Sequence, residues 1–177
     1  MLIAIRHGTT DYNEARIFSG HGDQPRLTNE ALNQAFDIGK ILKNYNLDLA
    51  FISPLTRAKQ TFNEINKSLN IPSYTLEGLM ERDFYKYEGA PLTSLDKTVY
   101  WDMDKSFVYD IEDIDDFVFR IEKSLNYIKV NFPNKKVLIV AHSGVCRAIK
   151  YIMEGKINRK WYLSDMNNLQ VSVFENW

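Results

Sequence analysis

The chain is short of several things, and each shortage removes a class of explanation. It has a single cysteine, Cys146, in 177 residues, which excludes an internal disulfide framework and thiolate zinc clusters. No apolar run approaches the roughly 18 residues that cross a bilayer. Met1 to Ile5 has neither the basic region nor the length of a signal peptide. A cytoplasmic protein with no membrane partner is therefore expected. Charge of one sign is also lacking, because 22 basic residues face 23 acidic ones for a net charge of -1. Such a balance gives no global attraction for nucleic acid.

Histidine is scarce, at three residues: His7, His21 and His142. Three scattered imidazoles make a poor zinc set, and neither a metal nor a cofactor is expected. The acidic stretch Asp110, Glu112, Asp113, Asp115 and Asp116 lacks the spacing and glycine of an EF-hand loop. It reads instead as favourable charge at a helix N-terminus.

What is present is ordinary globular material, 45% hydrophobic and 25% charged, enough for one domain over residues 1–177 with a real core. Leu2 to Ile5 reads as a buried strand and Asn29 to Tyr45 as a helix; Leu49 to Ile52 and Arg57 to Leu69 repeat the pair. The order recurs with a helix from Asp113 to Asn131, a strand from Lys136 to Ala141, a helix opening at Ser143-Gly144 and a closing strand from Leu169 to Phe174. This alternation predicts an α/β three-layer sandwich, a mostly parallel sheet with helices on both faces. The Tyr- and Trp-rich segment from Leu76 to Asp110 breaks the alternation. It reads as an insertion over the site, a lid or specificity element at about 82–110, with a short helix around Leu95 to Asp102.

The chemistry-bearing residues gather at strand ends. Arg6-His7-Gly8 follows the first strand, His142-Ser143-Gly144 follows the strand ending at Ala141, and Ser53-Pro54-Leu55-Thr56-Arg57 follows the strand ending at Ile52. The carboxyl edge of a parallel sheet is the usual ligand crevice. If the strands that carry the first two of these segments are neighbours, the two imidazoles converge. Two Arg and two His suit a phosphoryl group, whose transfer depends on positioning and on fixed positive charge. One neutral imidazole could attack phosphorus while the other, protonated, joins the arginines in holding oxygens. The helix after Ser143 would add backbone N–H donors.

In order along the chain, Arg6-His7-Gly8 with Thr10 and Asn13, Arg16 with Ser19-Gly20, and Leu27-Thr28 with Gln34-Ala35 resemble motifs of the histidine phosphatase superfamily, also called phosphoglycerate mutase-like. Ser53 to Thr61 resembles its second-arginine motif, Leu79-Met80-Glu81 with Tyr87-Glu88-Gly89 its acid-bearing segment, and Ala141 to Arg147 its second-histidine motif. The resemblance implies His7 as nucleophile, Arg6, Arg57 and His142 as phosphate pocket, and Glu81 as proton donor. Asn13 is implied as a neutral phosphate-side donor, with Thr10, Ser19, Gly20 and Ser143 as further phosphate contacts. Glu81 has independent sense, because an alkoxide leaving group needs a proton and a carboxyl beside an anionic phosphate would hold one more tightly. Glu88 is the rival acid, though its Tyr-Glu-Gly setting suits loop structure. Thr9, Ala31 and Tyr85 stand where the family often has Glu, Gly and Gly. Asp110-Ile111-Glu112-Asp113 stands where many members have Gly-Glu-Ser.

The expected activity is metal-independent hydrolysis of a small phosphorylated metabolite through a phosphohistidine. The short insertion is similar to phosphatase-type members rather than to longer mutases. A phosphoglycerate mutase-type transfer is the first alternative, and a catalytically silent phospho-ligand binding module is the second. The turn after Ile5 carries no Gly-x-Gly-x-x-Gly, which argues against a dinucleotide site.

Overall fold

The apolar runs become the middle of a five-stranded sheet in a computed structural model that describes residues 1–105, 108–158 and 160–177. The strands are β1 (Leu2–Arg6), β2 (Leu49–Ile52), β3 (Ser73–Thr75), β4 (Val137–Ala141) and β5 (Val171–Phe174), in the spatial order β3-β2-β4-β1-β5. All neighbours are parallel except β5, which runs antiparallel along β1. The α-helices are α1 (Asp11–Ala15), α2 (Asn29–Leu42), α3 (Thr56–Leu69), α4 (Lys97–Tyr100), α5 (Ile114–Asn131) and α6 (Ser143–Met153). None of them is long and apolar enough to cross a membrane.

Strand periodicity of two divides the apolar residues between two cores. Leu2 and Ala4 of β1, Phe51 of β2 and Ile139 of β4 face α5 and α6, whereas Ile3, Ile5, Ala50 and Val140 face α2 and α3. Because both faces are covered, these strands read as continuous apolar runs rather than alternating ones. Each fully buried Ile, Leu or Phe contributes about 1.5–3 kcal/mol. The α5 stripe of Phe117, Ile121, Leu125 and Ile128 is buried as its spacing predicts.

Several boundaries and one segment differ from the sequence expectation for identifiable reasons. Helix α2 stops at Leu42, three residues before Tyr45, because the chain tightens into a 3-10 turn and Asn46 turns left-handed at φ 51. Asp113 is not the first helical residue but the N-cap of α5, accepting hydrogen bonds from the N–H groups of Asp115 and Asp116. Neither α1 nor the exposed edge strand β3 has the apolar pattern that would announce it.

The 82–110 segment is not a bare loop. It carries α4 inside the Leu95–Asp102 window and sends Phe84, Leu95, Tyr100 and Trp101 into the α5–α6 core. Its Tyr85 holds φ 42, a left-handed conformation that costs a non-glycine residue about 1–2 kcal/mol, with its side chain left in solvent. That explains why glycine suits the position in the resemblance above.

Helices α2 and α3 meet at Gly39, where a Cβ would stand 2.5 Å from the carbonyl oxygen of Ile65 and 3.0 Å from its Cα. Both neighbours are helix backbone and cannot rotate away. Gly39→Ala should therefore lower unfolding free energy by about 1–2 kcal/mol, the overpacking cost exceeding the gain in helix propensity. Urea denaturation reads this directly, and a more stable variant would contradict it.

Candidate active site

Adjacent β1 and β4 are paired in parallel with Arg6 opposite Ala141, and the His7 N–H donates to the Ala141 carbonyl at 2.8 Å. Both chains thus leave the sheet at one level. The rings of His7 and His142, the next residues, lie 5.2 Å apart between centroids at 63°. Both are buried, His7 4% exposed and His142 0%.

Hydrogen bonds fix the tautomer of each ring. Nδ1 of His7 lies 2.8 Å from the Gly8 carbonyl, which can only accept, so Nδ1 carries the proton and Nε2 keeps its lone pair. Gly8 is itself pinned, its N–H donating to Thr61 Oγ1 at 3.0 Å. At His142 the order is reversed. Arg57 Nε donates to Nδ1 at 3.2 Å, so Nε2 carries the proton and donates to Ser53 Oγ at 2.7 Å.

Burial pushes both histidines well below their ordinary 6.5, and the Arg57 guanidinium adds to the effect. This corrects the expectation of a protonated second imidazole. Desolvation and a cation at hydrogen-bonding distance hold His142 neutral, with its one N–H directed at Ser53 Oγ.

Arg57 is fully buried behind the histidines, and burial pulls it down to about 10, so it stays charged at neutral pH. Its terminal nitrogens donate to the carbonyls of Gly20 at 2.7 Å, Gly22 at 2.9 Å and Ser19 at 3.2 Å. The loop's N–H groups point the other way. Glu88 accepts from Gly20, His21 and Gly22 at 2.9–3.2 Å. Glu88 is thus a loop anchor and does not line the cavity described next. Gln60 completes the α3 contribution by accepting from the Leu27 N–H at 3.0 Å.

The cavity beside His7 has a volume of about 230 Å³. Of the residues singled out from sequence, Arg6, His7, Asn13, Ser19, Glu81 and Ser143 line it; Thr10, Gly20, Arg57 and His142 do not. Thr10 is fully buried as the N-cap of α1, exchanging hydrogen bonds with Asn13 in a capping box. Its hydroxyl is committed to the helix rather than offered to a ligand. Gly20 has its N–H committed to Glu88 at 2.9 Å and its carbonyl to Arg57 at 2.7 Å. A larger hollow of about 440 Å³ lies along β5 and the end of α6 and contains neither histidine.

Glu81 stands at the start of α6, its Oε2 accepting from the Gly144 N–H at 2.9 Å and its Oε1 from the Arg82 N–H at 3.0 Å. One of the helix N-terminal donors expected to face an anion is therefore taken by Glu81. The backbone carrying Glu81 is held by Arg120 of α5, which donates to the carbonyls of Gly78, Met80 and Glu81 at 2.8–3.0 Å. Arg120 is oriented in turn by Glu112, at 2.6 and 3.0 Å. Sequence reading missed this pair, although Glu112 falls within the segment compared with Gly-Glu-Ser.

Asn168, also unforeseen, donates to the His7 carbonyl at 3.0 Å and to Asn13 Oδ1 at 3.1 Å. Asn13 Oδ1 accepts from the Thr10 N–H as well, which leaves the amide NH2 of Asn13 as the group presented to the cavity. Among the described residues, Arg6 is held by one bond from Nη1 to the Met166 carbonyl at 2.6 Å, and its buried Nε has no partner. His21 lies outside the cavity with Nδ1 3.2 Å from Asp83.

Comparison with known proteins gives the family and the fold. The profile of the histidine phosphatase superfamily (branch 1) matches residues 2–176. An uncharacterized phosphatase, PhoE, of Bacillus subtilis is 34% identical over 145 residues, 82% of this chain and 72% of that one. A 2,3-bisphosphoglycerate-dependent phosphoglycerate mutase of Beijerinckia indica is 30% identical over 171 residues, 88% of this chain and 81% of that one. The solved structure of Bacillus stearothermophilus YhfR has the same fold, with a TM-score of 0.82 at 23% identity over 96% of this chain and 88% of that one.

Two histidines held neutral when folded, but free to protonate when unfolded, make stability depend on pH. Below the ordinary value of 6.5 the unfolded chain binds more protons than the folded one, so stability present above that value is lost as pH falls. The limiting slope is about 1.4 kcal/mol per pH unit for each group. Unfolding free energy measured from pH 7 to pH 5 should decline, and the decline should be shallower in His142→Gln. Equal slopes in the two proteins would contradict the neutral assignment.

Proposed function

Because the chain belongs to the histidine phosphatase superfamily, it is a phosphomonoester hydrolase of that type, and we propose that it works through a phosphohistidine on His7. The observation that carries this mechanism is the Nδ1–Gly8 hydrogen bond in a ring that burial keeps neutral. Together they leave Nε2 as a lone-pair donor at the cavity without any base to activate it.

In the first step Nε2 attacks phosphorus as the bond to the ester oxygen breaks. The Arg6 guanidinium and the Asn13 amide meet the phosphoryl oxygens from the cavity wall, while Arg57 supplies positive potential from behind and orients His142. Ser19 and Ser143 are the remaining polar contacts in this reading. Thr10 and Gly20 act at one remove, through the α1 cap and the Arg57 loop. Glu81 gives its proton to the leaving alkoxide, then takes one from the water that attacks the phosphohistidine, which releases inorganic phosphate and restores His7.

The scheme employs no metal. The partner in this proposal is a small phosphorylated metabolite met in the cytoplasm, with residues 82–110 of a single domain forming the wall that selects it. The mutase relative favours a second reading, in which the phosphoryl group returns to the substrate before water reaches it.

Two substitutions test the scheme, and one product assay separates hydrolysis from transfer. His7→Ala should abolish phosphoenzyme formation. Glu81→Gln should cost about 10²–10⁴-fold on esters with poor leaving groups and much less on p-nitrophenyl phosphate, whose phenolate needs no proton. With phosphoglycerate as substrate, phosphate release should exceed isomerisation; fast interconversion with negligible release would replace hydrolysis by transfer.

A further inference from the structure

The turn that leads into β5 is built with unusual care for a surface connection. It closes on itself, the Asn167 N–H donating to Gln170 Oε1 at 2.7 Å and the Gln170 N–H to the Asn167 carbonyl at 3.1 Å. Within it Leu169 holds φ 58, left-handed backbone that disfavours a residue with a Cβ. The conformation is held in place because the Leu169 side chain is buried in the α2–α3 core and its N–H donates to the Arg6 carbonyl at 3.1 Å. Backbone strain kept by its surroundings in this way points to a task at the turn.

The turn sets Asn168 over the end of β1. Nδ2 of Asn168 has two protons and two acceptors, the His7 carbonyl at 3.0 Å and Asn13 Oδ1 at 3.1 Å. A carbonyl can only accept, so the nitrogen of this amide and not its oxygen faces His7. Asn168 does not line the cavity, whereas His7 and Asn13 both do. Two residues earlier, the Met166 carbonyl accepts from Arg6 Nη1 at 2.6 Å. One short segment thus holds the nucleophile, the guanidinium and the neutral amide that the hydrolytic scheme places around the phosphoryl group.

His7 follows β1, while Asn13 belongs to α1, so nothing within either element fixes the distance between them. Apart from Asn168, Asn13 Oδ1 accepts only from the Thr10 N–H, at 3.1 Å. A single bond leaves the amide free to swing about it, and a small misplacement of a group that orients the reacting atoms is costly in rate. The second bond removes that freedom. By drawing electron density from Oδ1, it also strengthens the Asn13 NH2 as a donor.

We propose that Asn168 is a positioning residue for phosphoryl transfer, a single amide that locks the Asn13 NH2 group at a fixed distance from the His7 ring. This deepens, and rests on, the phosphatase reading of the same cavity. The strained turn before β5 is the mount for that amide.

The test measures kcat/KM on the full-length protein for p-nitrophenyl phosphate and for an alkyl ester, glycerol 2-phosphate. Asn168→Ala should lose about tenfold or more, within the range that two neutral hydrogen bonds supply. The factor should be the same for both esters, because Asn168 acts on the phosphoryl group and not on the leaving group. Asn168→Asp keeps the outline of the side chain and removes its N–H donors, so it should lose at least as much, and it serves where the Ala variant fails to fold. Asn13→Ala and the double variant complete a cycle. With Asn13 already replaced, Asn168→Ala should cost about threefold or less.

Calorimetric binding of inorganic phosphate to the same proteins reads the arrangement without turnover. Affinity should fall in each single variant and no further in the double one. If that coupling is found while no ester is hydrolysed, the hydrolytic reading alone fails. Turnover within about twofold of the unsubstituted protein in both Asn168 variants, a loss confined to one leaving group, or losses that multiply in the double variant would overturn the positioning role. Multiplying losses are what a turn with a merely structural part would give.

Discussion

Everything at the site depends on the parallel pairing of β1 with β4. With Arg6 opposite Ala141, both strands end at one level, and the imidazoles that follow are delivered 5.2 Å apart. A slip of one residue would exchange the faces of Ile3, Ile5 and their neighbours and send His7 to the wrong side of the sheet. The register is therefore specified by the two cores before any polar contact is made. Because the strands are covered on both faces, the site inherits a rigid floor and a desolvated setting in which both rings remain neutral.

Buried arginines organise the polar layer above that floor. Arg57 gathers the carbonyls of Ser19, Gly20 and Gly22, Arg120 those of Gly78, Met80 and Glu81, and Arg82 those of Tyr100 and Glu112. A buried cation without partners is costly, and loop carbonyls satisfy the guanidinium while the guanidinium fixes the loop. Glu88 and Glu112 complete the arrangement from the opposite side, one accepting the loop's N–H groups and the other orienting Arg120. The loops around the cavity are thus held by charge-assisted hydrogen bonds together with side chains such as Phe18, Phe84 and Trp101 that enter the α5–α6 core.

The strands and the long helices were legible because the chain writes them in period: unbroken apolar runs for β1, β2 and β4, and a stripe from Phe117 to Ile128 for α5. His7, Arg6, Glu81 and Asn13 were legible through ordered motifs at the strand ends and reach the cavity together. Partners that act through backbone groups were not legible. Asn168 and Arg120 hold carbonyls, a role that depends on tertiary placement and leaves no spacing in the sequence. Thr10 shows the converse, because a cap and a ligand contact use the same hydroxyl and only the fold reveals which one takes it. The charge state of His142 was misread because sequence shows a histidine among arginines but not its complete burial.

The account stands most directly on which nitrogen of which histidine receives the phosphoryl group. Phosphoenzyme formed from a rapidly cleaved phosphate ester, quenched and examined by phosphorus–nitrogen NMR on histidine-labelled protein, identifies both at once. The hydrogen bond from Nδ1 to Gly8 predicts phosphorus on Nε2 of His7. Phosphorus on Nδ1 of that ring, or on any other residue, would contradict it.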